Sequence, residues 1–339
     1  SEAGLLMTAV VAPGVFFSLG FGLLSSRFKM STIGVFAGLS MAAGNFLTGW
    51  ALSFLQALTG RFLLGLGGAL ASISLPTLIS QSFPEREVGK VMGIYSVNTP
   101  LAVVAAFSTA GFLAEAYGWR FPIQLSFIIA LTTIPCLLSI AKLLPEEKSS
   151  SISFQPLKNL ELWKLASIWL LFNWSISSLT TWLPKLLLAM EGFSLFEASM
   201  VAALFMAVAG AFAPLYGWLS GKTLKWRRYF LSSSLFTSIL FTALAFTPEV
   251  FIPLLIGLSG VSAALIPPLV FAGPKRLVDA KSMGLAFGIL SFCLNLGVSF
   301  GPPFTGYILD LTASFQVVML SIASAMALTL IPSATLRKL

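Results

Sequence analysis

Eleven long apolar runs divide the chain, and each is long enough to cross a bilayer as a helix. A crossing helix needs about 20 apolar residues, because the hydrocarbon layer is about 30 Å thick. Helices also satisfy their own backbone hydrogen bonds in lipid, so the predicted fold class is an all-α membrane protein. The eleven predicted transmembrane helices are Leu5–Leu24, Thr32–Ser53, Ala57–Ser80, Val91–Ala114, Ile123–Leu143, Leu165–Leu187, Leu195–Leu219, Phe230–Phe246, Phe251–Phe271, Met283–Leu309 and Phe315–Ile331.

The charged residues are too few to cover the surface of a water-soluble protein, since they make up 9% of the chain against 57% hydrophobic residues. The net charge of +8 is spread over short loops, which favours membrane topology over nucleic-acid binding. The chain has no histidine, and Cys136 and Cys293 lie in separate apolar runs. We therefore predict no metal site, no cofactor and no enzymatic activity.

Positive charge collects in alternate loops, which gives the expected orientation in the membrane. By the positive-inside rule these loops and the carboxyl end are cytoplasmic, in a multi-pass protein of the cell membrane. With eleven spans, the amino end is then outside. The basic residues of these loops are Arg27, Lys29, Arg86, Lys90, Lys142, Lys148, Lys158, Lys164, Lys222, Lys225, Arg227, Arg228, Lys275, Arg276, Lys281, Arg337 and Lys338.

A repeat relates the two parts of the chain. Gly22 and Gly217 close similar apolar runs 195 positions apart (217 minus 22), and the same shift superposes four further glycine pairs. Chance would give roughly one such match at average glycine usage. The sixth run, Leu165–Leu187, has no counterpart in the first copy, so we expect a further helix before Ser1 and twelve in all. The predicted organisation is a bundle of residues 1–144, a cytoplasmic linker of residues 145–164 and a bundle of residues 165–339.

Short motifs recur near the ends of the runs. They are Gly22 to Lys29, Leu58 to Gly67, Phe83 to Arg86 with Gly89 and Gly93, Gly118 to Arg120, Thr181 to Pro184, and Gly301 to Pro303 with Gly306 and Asp310. Along the whole chain these resemble the motifs of the major facilitator superfamily. The resemblance implies two six-helix bundles related by a parallel repeat, in a monomer that moves a small-molecule substrate by alternating access. It also implies a coupling ion, either a proton or an exchanged solute, and that the helix expected before Ser1 is the family's first.

The repeated loop predicts a conformational role. Glycine lets two helices approach closely, and the cations that follow can pair with helix C-termini or with neighbouring acids. The alternative is that these cations only determine topology. The family usually has an aspartate in this loop, where this chain has Ser26 and Gly221, so both copies lack the acid. The predicted gating residues are Gly22, Arg27, Lys29, Gly217, Lys222, Arg227 and Arg228.

Polar side chains inside the runs are the candidates for substrate contact. Arg61 is the arginine that lies well within a run, and a buried cation in a membrane usually faces the bundle interior. Arg61 lies about one and a half turns into its run and could also extend to the outer face, so a structural or coupling role is favoured over direct substrate contact. The amides and hydroxyls could equally serve helix packing, and a tryptophan could anchor an interface. The candidate substrate-binding residues are Asn45, Arg61, Asn98, Asn173, Trp174, Ser178 and Asn295.

We expect a secondary transporter for a small organic or inorganic anion. The stretch from Pro76 to Tyr95 and the motif from Thr181 to Pro184 resemble those of family members that carry small anions such as cyanate. The arginines of the family's nitrate carriers are missing from Leu5–Leu24 and Leu195–Leu219. One alternative is a drug or metabolite exporter of the same fold, although the drug-antiporter motif is replaced by Asn98 to Leu101. Another is a membrane sensor or scaffold that transports nothing and has lost its first helix.

Overall fold

The structure, a computed structural model, describes residues 2–24, 27–143, 153–189, 193–222 and 225–337. Side chains are described for these residues except 2, 3, 141–143, 195 and 222. Residues 145–152 of the predicted linker and the side chain of Lys222 therefore lie outside the described residues. Within the described ranges the ordered backbone is helical and holds no strand, as the sequence predicts. The all-α fold class is confirmed.

Sixteen helices follow one another in the described chain, with two short 3-10 turns at Glu249–Phe251 and Ala280–Ser282. The first eight are α1 (Glu2–Leu24), α2 (Met30–Gly49), α3 (Phe54–Ser82), α4 (Glu85–Tyr95), α5 (Asn98–Tyr117), α6 (Phe121–Leu143), α7 (Gln155–Lys158) and α8 (Leu160–Leu188). The others are α9 (Leu195–Lys222), α10 (Trp226–Leu244), α11 (Ile252–Ala263), α12 (Ile266–Ala272), α13 (Pro274–Leu277), α14 (Met283–Thr312), α15 (Phe315–Leu328) and α16 (Leu330–Thr335).

Nine helical segments of the described residues are long and apolar enough to cross a membrane. They coincide with nine of the eleven predicted runs. The other two runs are also helical, as α8 with 29 residues and α10 with 19. Both are less apolar, because α8 carries amides and hydroxyls in its middle and α10 carries several serines and threonines.

Two predicted spans are interrupted rather than continuous, and each interruption lies shortly before a proline. The first lies at Ser96 and Val97, between α4 and α5, shortly before Pro100. The second lies at residues 264–265, between α11 and α12, just before the pair of prolines at 267–268. Proline lacks the N–H that would bond the carbonyl four residues earlier, so each interruption frees a backbone acceptor. Lipid-embedded helices tolerate this where neighbouring groups satisfy the backbone.

The helices fall into two compact units. Unit 1 comprises Ser1–Pro84, Ala110–Asn159 and Val278–Asn295. Unit 2 comprises Glu85–Thr109, Leu160–Leu277 and Leu296–Leu339. The predicted division of the chain at residues 144 and 165 concerns the sequence repeat, and it stays a prediction.

Unit 1 is built on close helix pairs, in which α2 packs against both α3 and α6, and α1 packs against α3. Small residues permit these approaches. A methyl group at Gly44 would lie 2.6 Å from the Gly60 carbonyl oxygen, and one at Gly67 would lie 2.7 Å from the Ala37 carbonyl oxygen. Side chains that lie between helices, such as Ser40, add hydrogen bonds to backbone carbonyls across these pairs. Small residues therefore do the packing, as is usual where lipid removes the hydrophobic drive between helices.

The core of unit 2 forms where α4 packs on α9, α9 on α11, and α15 on both α8 and α10. Its largest fully buried side chains include Trp226, Phe205, Phe230 and Phe241. A hydroxyl also bonds two helices of this core, where Ser175 of α8 donates to the Ile322 carbonyl oxygen of α15 at 2.9 Å. Within unit 2, α8 packs on α9, α12, α15 and α16, and it carries three of the predicted substrate-binding residues.

Candidate functional site

An aromatic cluster lies beside the interrupted helices of unit 2. Tyr95, the last residue of α4, meets Phe271 of α12 edge-on with ring centroids 5.3 Å apart. Phe271 in turn meets Trp169 of α8 at 5.2 Å, and Trp169 stacks on Phe172 at 5.5 Å. Trp169 and Phe172 are buried, while Tyr95 and Phe271 are half-buried. We refer to these four residues as the aromatic cluster. It offers flat apolar faces and one hydroxyl.

Two of the predicted amides lie next to the aromatic cluster. Asn98 begins α5 directly after the interruption, is exposed, and is within hydrogen-bonding reach of the Tyr95 hydroxyl. Its side-chain oxygen accepts from the Thr99 hydroxyl at 2.7 Å. Asn173 is half-buried on α8 and donates to the Trp169 carbonyl oxygen at 2.7 Å. Aromatic faces with a few convergent polar groups are the usual lining of a small-molecule site.

The other predicted residues of α8 pack against α14 within unit 2. A methyl at Gly301 would lie 2.6 Å from the Trp174 carbonyl oxygen and 2.9 Å from the Ser178 hydroxyl. The Trp174 ring meets Phe304 edge-on at 5.5 Å. The buried Ser178 hydroxyl has no hydrogen-bond partner in the part of the chain that the structure describes. Trp174 and Ser178 therefore belong to a tight helix crossing, and their contact with substrate stays a prediction.

A chain of three serine hydroxyls joins α1, α3 and α14 inside unit 1. Ser291 shares hydrogen bonds with Ser18 at 2.9 Å and with Ser72 at 2.7 Å. The predicted residue Asn295 lies one turn further along α14 and donates to the Ser291 carbonyl oxygen at 2.7 Å. We refer to Ser18, Ser72 and Ser291 as the serine chain. It ties Asn295 into a polar network that crosses three helices.

Arg61 and Asn45 lie in separate places within unit 1. Asn45 is buried on α2, which packs on α3 and α6. Arg61 is half-buried on α3, within a candidate membrane span. Its Nε is buried without a hydrogen-bond partner, and neither ion pair found among the described residues involves it. Contact of Arg61 with a substrate stays a prediction.

The two predicted gating glycines lie at close helix crossings. A methyl at Gly22 of α1 would lie 2.9 Å from the carbonyl oxygen of Gly284 on α14. One at Gly217 of α9 would lie 2.6 Å from the carbonyl oxygen of Gly89 on α4. Backbone approaches of this kind are possible only where both helices lack a side chain.

The predicted gating cations are exposed at helix ends, and their pairing stays a prediction. Arg27 and Lys29 lie in the turn before α2, and Arg227 and Arg228 lie in the first turn of α10. A different arginine of unit 2 does form an ion pair, in which Arg276 Nε lies 3.1 Å from Glu85 Oε1. The Arg276 guanidinium also lies over the Trp226 ring, 4.2 Å from its centroid. We refer to Glu85, Arg276 and Trp226 as the acidic clamp.

Sequence reasoning missed the aromatic cluster, the serine chain and the acidic clamp. Phenylalanine and serine are so common in the runs that the sequence does not distinguish these few from the others. The position of Tyr95 just before an interruption was a usable signal, because Pro100 marks that interruption. Within unit 2 the aromatic cluster offers aromatic faces beside two amides, and within unit 1 the serine chain offers hydroxyls beside the amide of Asn295. Contact of either group with a substrate stays a prediction. Among the described residues, no three acidic or cysteine side chains converge as metal ligands would.

The family model described as Major Facilitator Superfamily matches residues 1–232 and 192–338. The chain is 27% identical over 223 residues to a nitrite extrusion protein of Bacillus subtilis, covering 64% of this chain and 55% of that protein. It is 23% identical over 291 residues to a hexuronate transporter of the same organism, covering 78% of this chain and 69% of the relative. The chain therefore spans little more than half the length of the first of these relatives.

Solved structures show the same fold. A human organic anion transporter superposes with a TM-score of 0.83 at 14% identity, covering 98% of this chain and 83% of that one. At this identity the likeness speaks for the fold alone. The relatives named above are transporters rather than enzymes, in agreement with the prediction from the sequence.

Proposed function

Because the chain belongs to the major facilitator superfamily, we propose that it forms the transporting part of a secondary transporter that moves a small anion across the cell membrane. Members of this architecture expose one central site to each side of the membrane in turn. The proposed substrate is an inorganic anion or a small organic acid. Coupling is to a proton or to an exchanged solute.

Arg61 is the observation that carries the anion assignment. It lies in a membrane-spanning helix, half-buried, with its Nε unpartnered among the described residues. A cation in this position is costly unless a negative group joins it. A substrate carboxylate or oxyanion would form charge-assisted hydrogen bonds with the guanidinium, in the planar geometry that arginine favours.

Three further observations support an anionic solute. Acidic side chains such as Glu85, Glu115 and Asp310 lie in the first or last turns of their helices, away from the middle of the spans. Neutral donors, by contrast, lie in the middle of helices, on the serine chain and on Asn173. Both curated relatives also bear names that refer to anions, nitrite and hexuronate.

The test is exchange of a labelled anion in proteoliposomes that contain Arg61→Gln, Arg61→Lys or the unaltered protein. We expect Arg61→Gln to weaken apparent anion affinity about 10- to 100-fold, because a hydrogen bond to a charged group contributes about 1.5–3 kcal/mol. Arg61→Lys should recover part of this affinity, since it restores the charge without the planar fork.

Arg86→Gln is the matched control, because it removes one arginine from an exposed position at the start of α4. It should leave affinity unchanged. Equal affinities in Arg61→Gln and the unaltered protein would contradict the role of Arg61. Failure of the unaltered protein to exchange any of nitrite, nitrate, cyanate and a hexuronate would contradict anion transport itself.

The proposed orientation places the carboxyl end in the cytoplasm, because the basic residues collect in the loops on that side. A carboxyl-terminal green fluorescent protein fusion should therefore be fluorescent in bacterial cells, and an alkaline phosphatase fusion at the same place should be inactive. The reverse result would contradict this orientation.

A further inference from the structure

A basic cleft opens at one end of unit 2, and it shares no residue with the aromatic cluster. It has a volume of about 580 Å³ and is lined by Leu160, Glu161, Lys164, Arg227, Ala334, Thr335 and Arg337. The lining comes from the first turns of α8 and α10 and from the end of α16. The volume lies within the range of small-molecule sites, which is about 300–1,000 Å³.

The cleft contains three cations and one acid, and the acid is fully engaged. Glu161 is buried, its Oε1 lies 2.7 Å from Lys164 Nζ, and its Oε2 accepts from the Arg337 backbone N–H at 2.8 Å. Lys164 also donates to the Thr335 carbonyl oxygen at 2.8 Å. Glu161 therefore fixes one wall of the cleft and neutralises Lys164, which leaves two positive charges.

The two remaining guanidiniums belong to Arg227 and Arg337. Both residues are exposed, and neither takes part in an ion pair of the described chain. The backbone N–H groups in the first turn of a long helix add partial positive charge, and both α8 and α10 begin at this cleft. The combination of two guanidiniums in one cleft with two helix N-termini is suited to a phosphate group.

The position of the cleft favours a phosphate that belongs to a lipid. The candidate membrane span Phe315–Thr335 ends at the cleft, so the cleft lies where the polar boundary of the bilayer begins. Leu160 at its rim is 67% exposed and would contact an acyl chain. Basic pockets between helices on the cytoplasmic side of a membrane are suited to anionic headgroups.

We propose that this cleft binds the phosphate of an anionic phospholipid, with Arg227 and Arg337 as its principal ligands. The lipid links the start of α8 and α10 to the end of α16 from the membrane side. Binding does not depend on which solute the protein transports, since none of the lining residues belongs to the aromatic cluster or to the serine chain.

Native mass spectrometry of the purified protein with dioleoyl phosphatidylglycerol or dioleoyl phosphatidylcholine tests the proposal. We expect retention of phosphatidylglycerol, and roughly tenfold or more weaker retention by the double variant Arg227→Gln/Arg337→Gln. The double variant Arg86→Gln/Lys90→Gln is the matched control, because it removes the same charge from exposed positions of α4. It should retain phosphatidylglycerol as the unaltered protein does. The single variant Arg337→Gln gives an intermediate value and serves if the double variant is poorly folded.

Equal loss in both double variants would overturn the proposal, because it would show attraction to surface charge in general. Equal retention of the two lipids would overturn it as well. A further arm adds inorganic phosphate or glycerol phosphate at millimolar concentration. If neither of these displaces the retained phosphatidylglycerol, the lipid assignment stands. If they raise the thermal unfolding temperature through Arg227 and Arg337 while phosphatidylglycerol is not retained, the cleft binds free phosphate and the lipid assignment is overturned.

Discussion

Two helix crossings in the molecule are equivalent by the sequence repeat, but different polar contacts stabilise them. In unit 1, Gly22 of α1 meets Gly284 and Gly288 of α14. In unit 2, Gly217 of α9 meets Gly89 and Gly93 of α4. A shift of 195 positions (217 minus 22) converts each glycine set into the other. The repeat has therefore kept the backbone contact in both copies.

The polar contacts beside the two crossings differ in chemistry. One turn from Gly22, the serine chain links Ser18 to Ser291 with neutral hydrogen bonds. Beside Gly217, the Ser220 hydroxyl bonds back to the Gly217 carbonyl oxygen at 2.7 Å, and the acidic clamp joins the start of α4 to α13. The first crossing is thus held by hydroxyls inside the span, and the second by an ion pair at the helix end.

The same shift explains a second difference. Pro100 corresponds to Asn295, and Ser96 corresponds to Ser291. In the first copy the proline interrupts the helix after Tyr95, whereas in the second copy α14 continues and the Asn295 amide bonds the Ser291 carbonyl. The copy with proline at this position is therefore interrupted, and the copy with asparagine is continuous.

The largest expected effect comes from adding a methyl group at the crossing of unit 2. Gly217→Ala would place a Cβ 2.5 Å from the Gly93 Cα, which forces the two backbones apart. We expect a loss of about 1–3 kcal/mol in unfolding free energy and a matching fall in the thermal midpoint in detergent. Gly22→Ala should lose less, because its nearest atoms lie at 2.9 Å.

Two other glycines serve as controls for these variants. A methyl group added at Gly20 on α1 would meet no heavy atom within 4 Å, and one added at Gly257 on α11 would have its nearest atom at 4.0 Å. Gly20→Ala and Gly257→Ala should be neutral or slightly stabilising, since alanine is the better helix former. If Gly217→Ala is as stable as these controls, the crossing is not a close contact.

Removing the proline of the first copy should make the two copies more alike. Pro100→Ala keeps the Cβ and restores an N–H for the Ser96 carbonyl. We expect a higher thermal midpoint and slower solute exchange, because interrupted helices border the substrate sites of many transporters. Pro135→Ala in the uninterrupted helix α6 is the control and should leave exchange unchanged. Faster exchange in Pro100→Ala would contradict a role for the interruption.

The hydrogen bonds of the serine chain should contribute more to the unfolding free energy than the ion pair of the acidic clamp. Ser291→Ala removes two hydroxyl contacts in a buried place and should cost about 0.5–1.5 kcal/mol for each hydrogen bond lost, at any salt concentration. Ser299→Ala on the same helix lies outside the serine chain and should have a smaller effect. If the loss of unfolding free energy in Ser291→Ala disappears in high salt, the contact is not made by neutral hydrogen bonds.

The smallest effect is expected at the acidic clamp. The Glu85 side chain is 58% exposed, so Glu85→Gln should cost less than about 1 kcal/mol and only at low salt. Arg276→Gln should cost more than Glu85→Gln, because it also removes the contact with the Trp226 ring. If the two variants respond identically at every salt concentration, the Trp226 contact contributes nothing.

Glycine positions were the part of the fold that the sequence could predict best. The repeat identified Gly22 and Gly217 as equivalent close-contact sites, and the structure finds both in tight crossings. The sequence could not predict their partners, because a repeat shows which residues correspond but not which helices pack together. Interruptions could be expected from Pro100, whereas the exact break at Ser96 depends on tertiary packing.

The candidate site was harder to predict than the fold. Asn98 and Asn173 could be found as rare amides in apolar runs, and the structure places both next to the aromatic cluster in unit 2. Trp169 and Phe271 could not, because aromatic side chains also face lipid and their number gives no contrast. Arg61 was identified by its charge alone, and only the structure shows that its Nε is unpartnered among the described residues.

The most direct test of anion transport is counterflow of a labelled hexuronate, compared with the neutral hexose of the same configuration, in proteoliposomes with the unaltered protein. The two solutes differ in a carboxylate and in little else. We predict saturable uptake of the hexuronate that added nitrite reduces, and no uptake of the hexose above that of empty liposomes. Saturable uptake of the hexose, with none of the hexuronate and no effect of nitrite, would contradict the account.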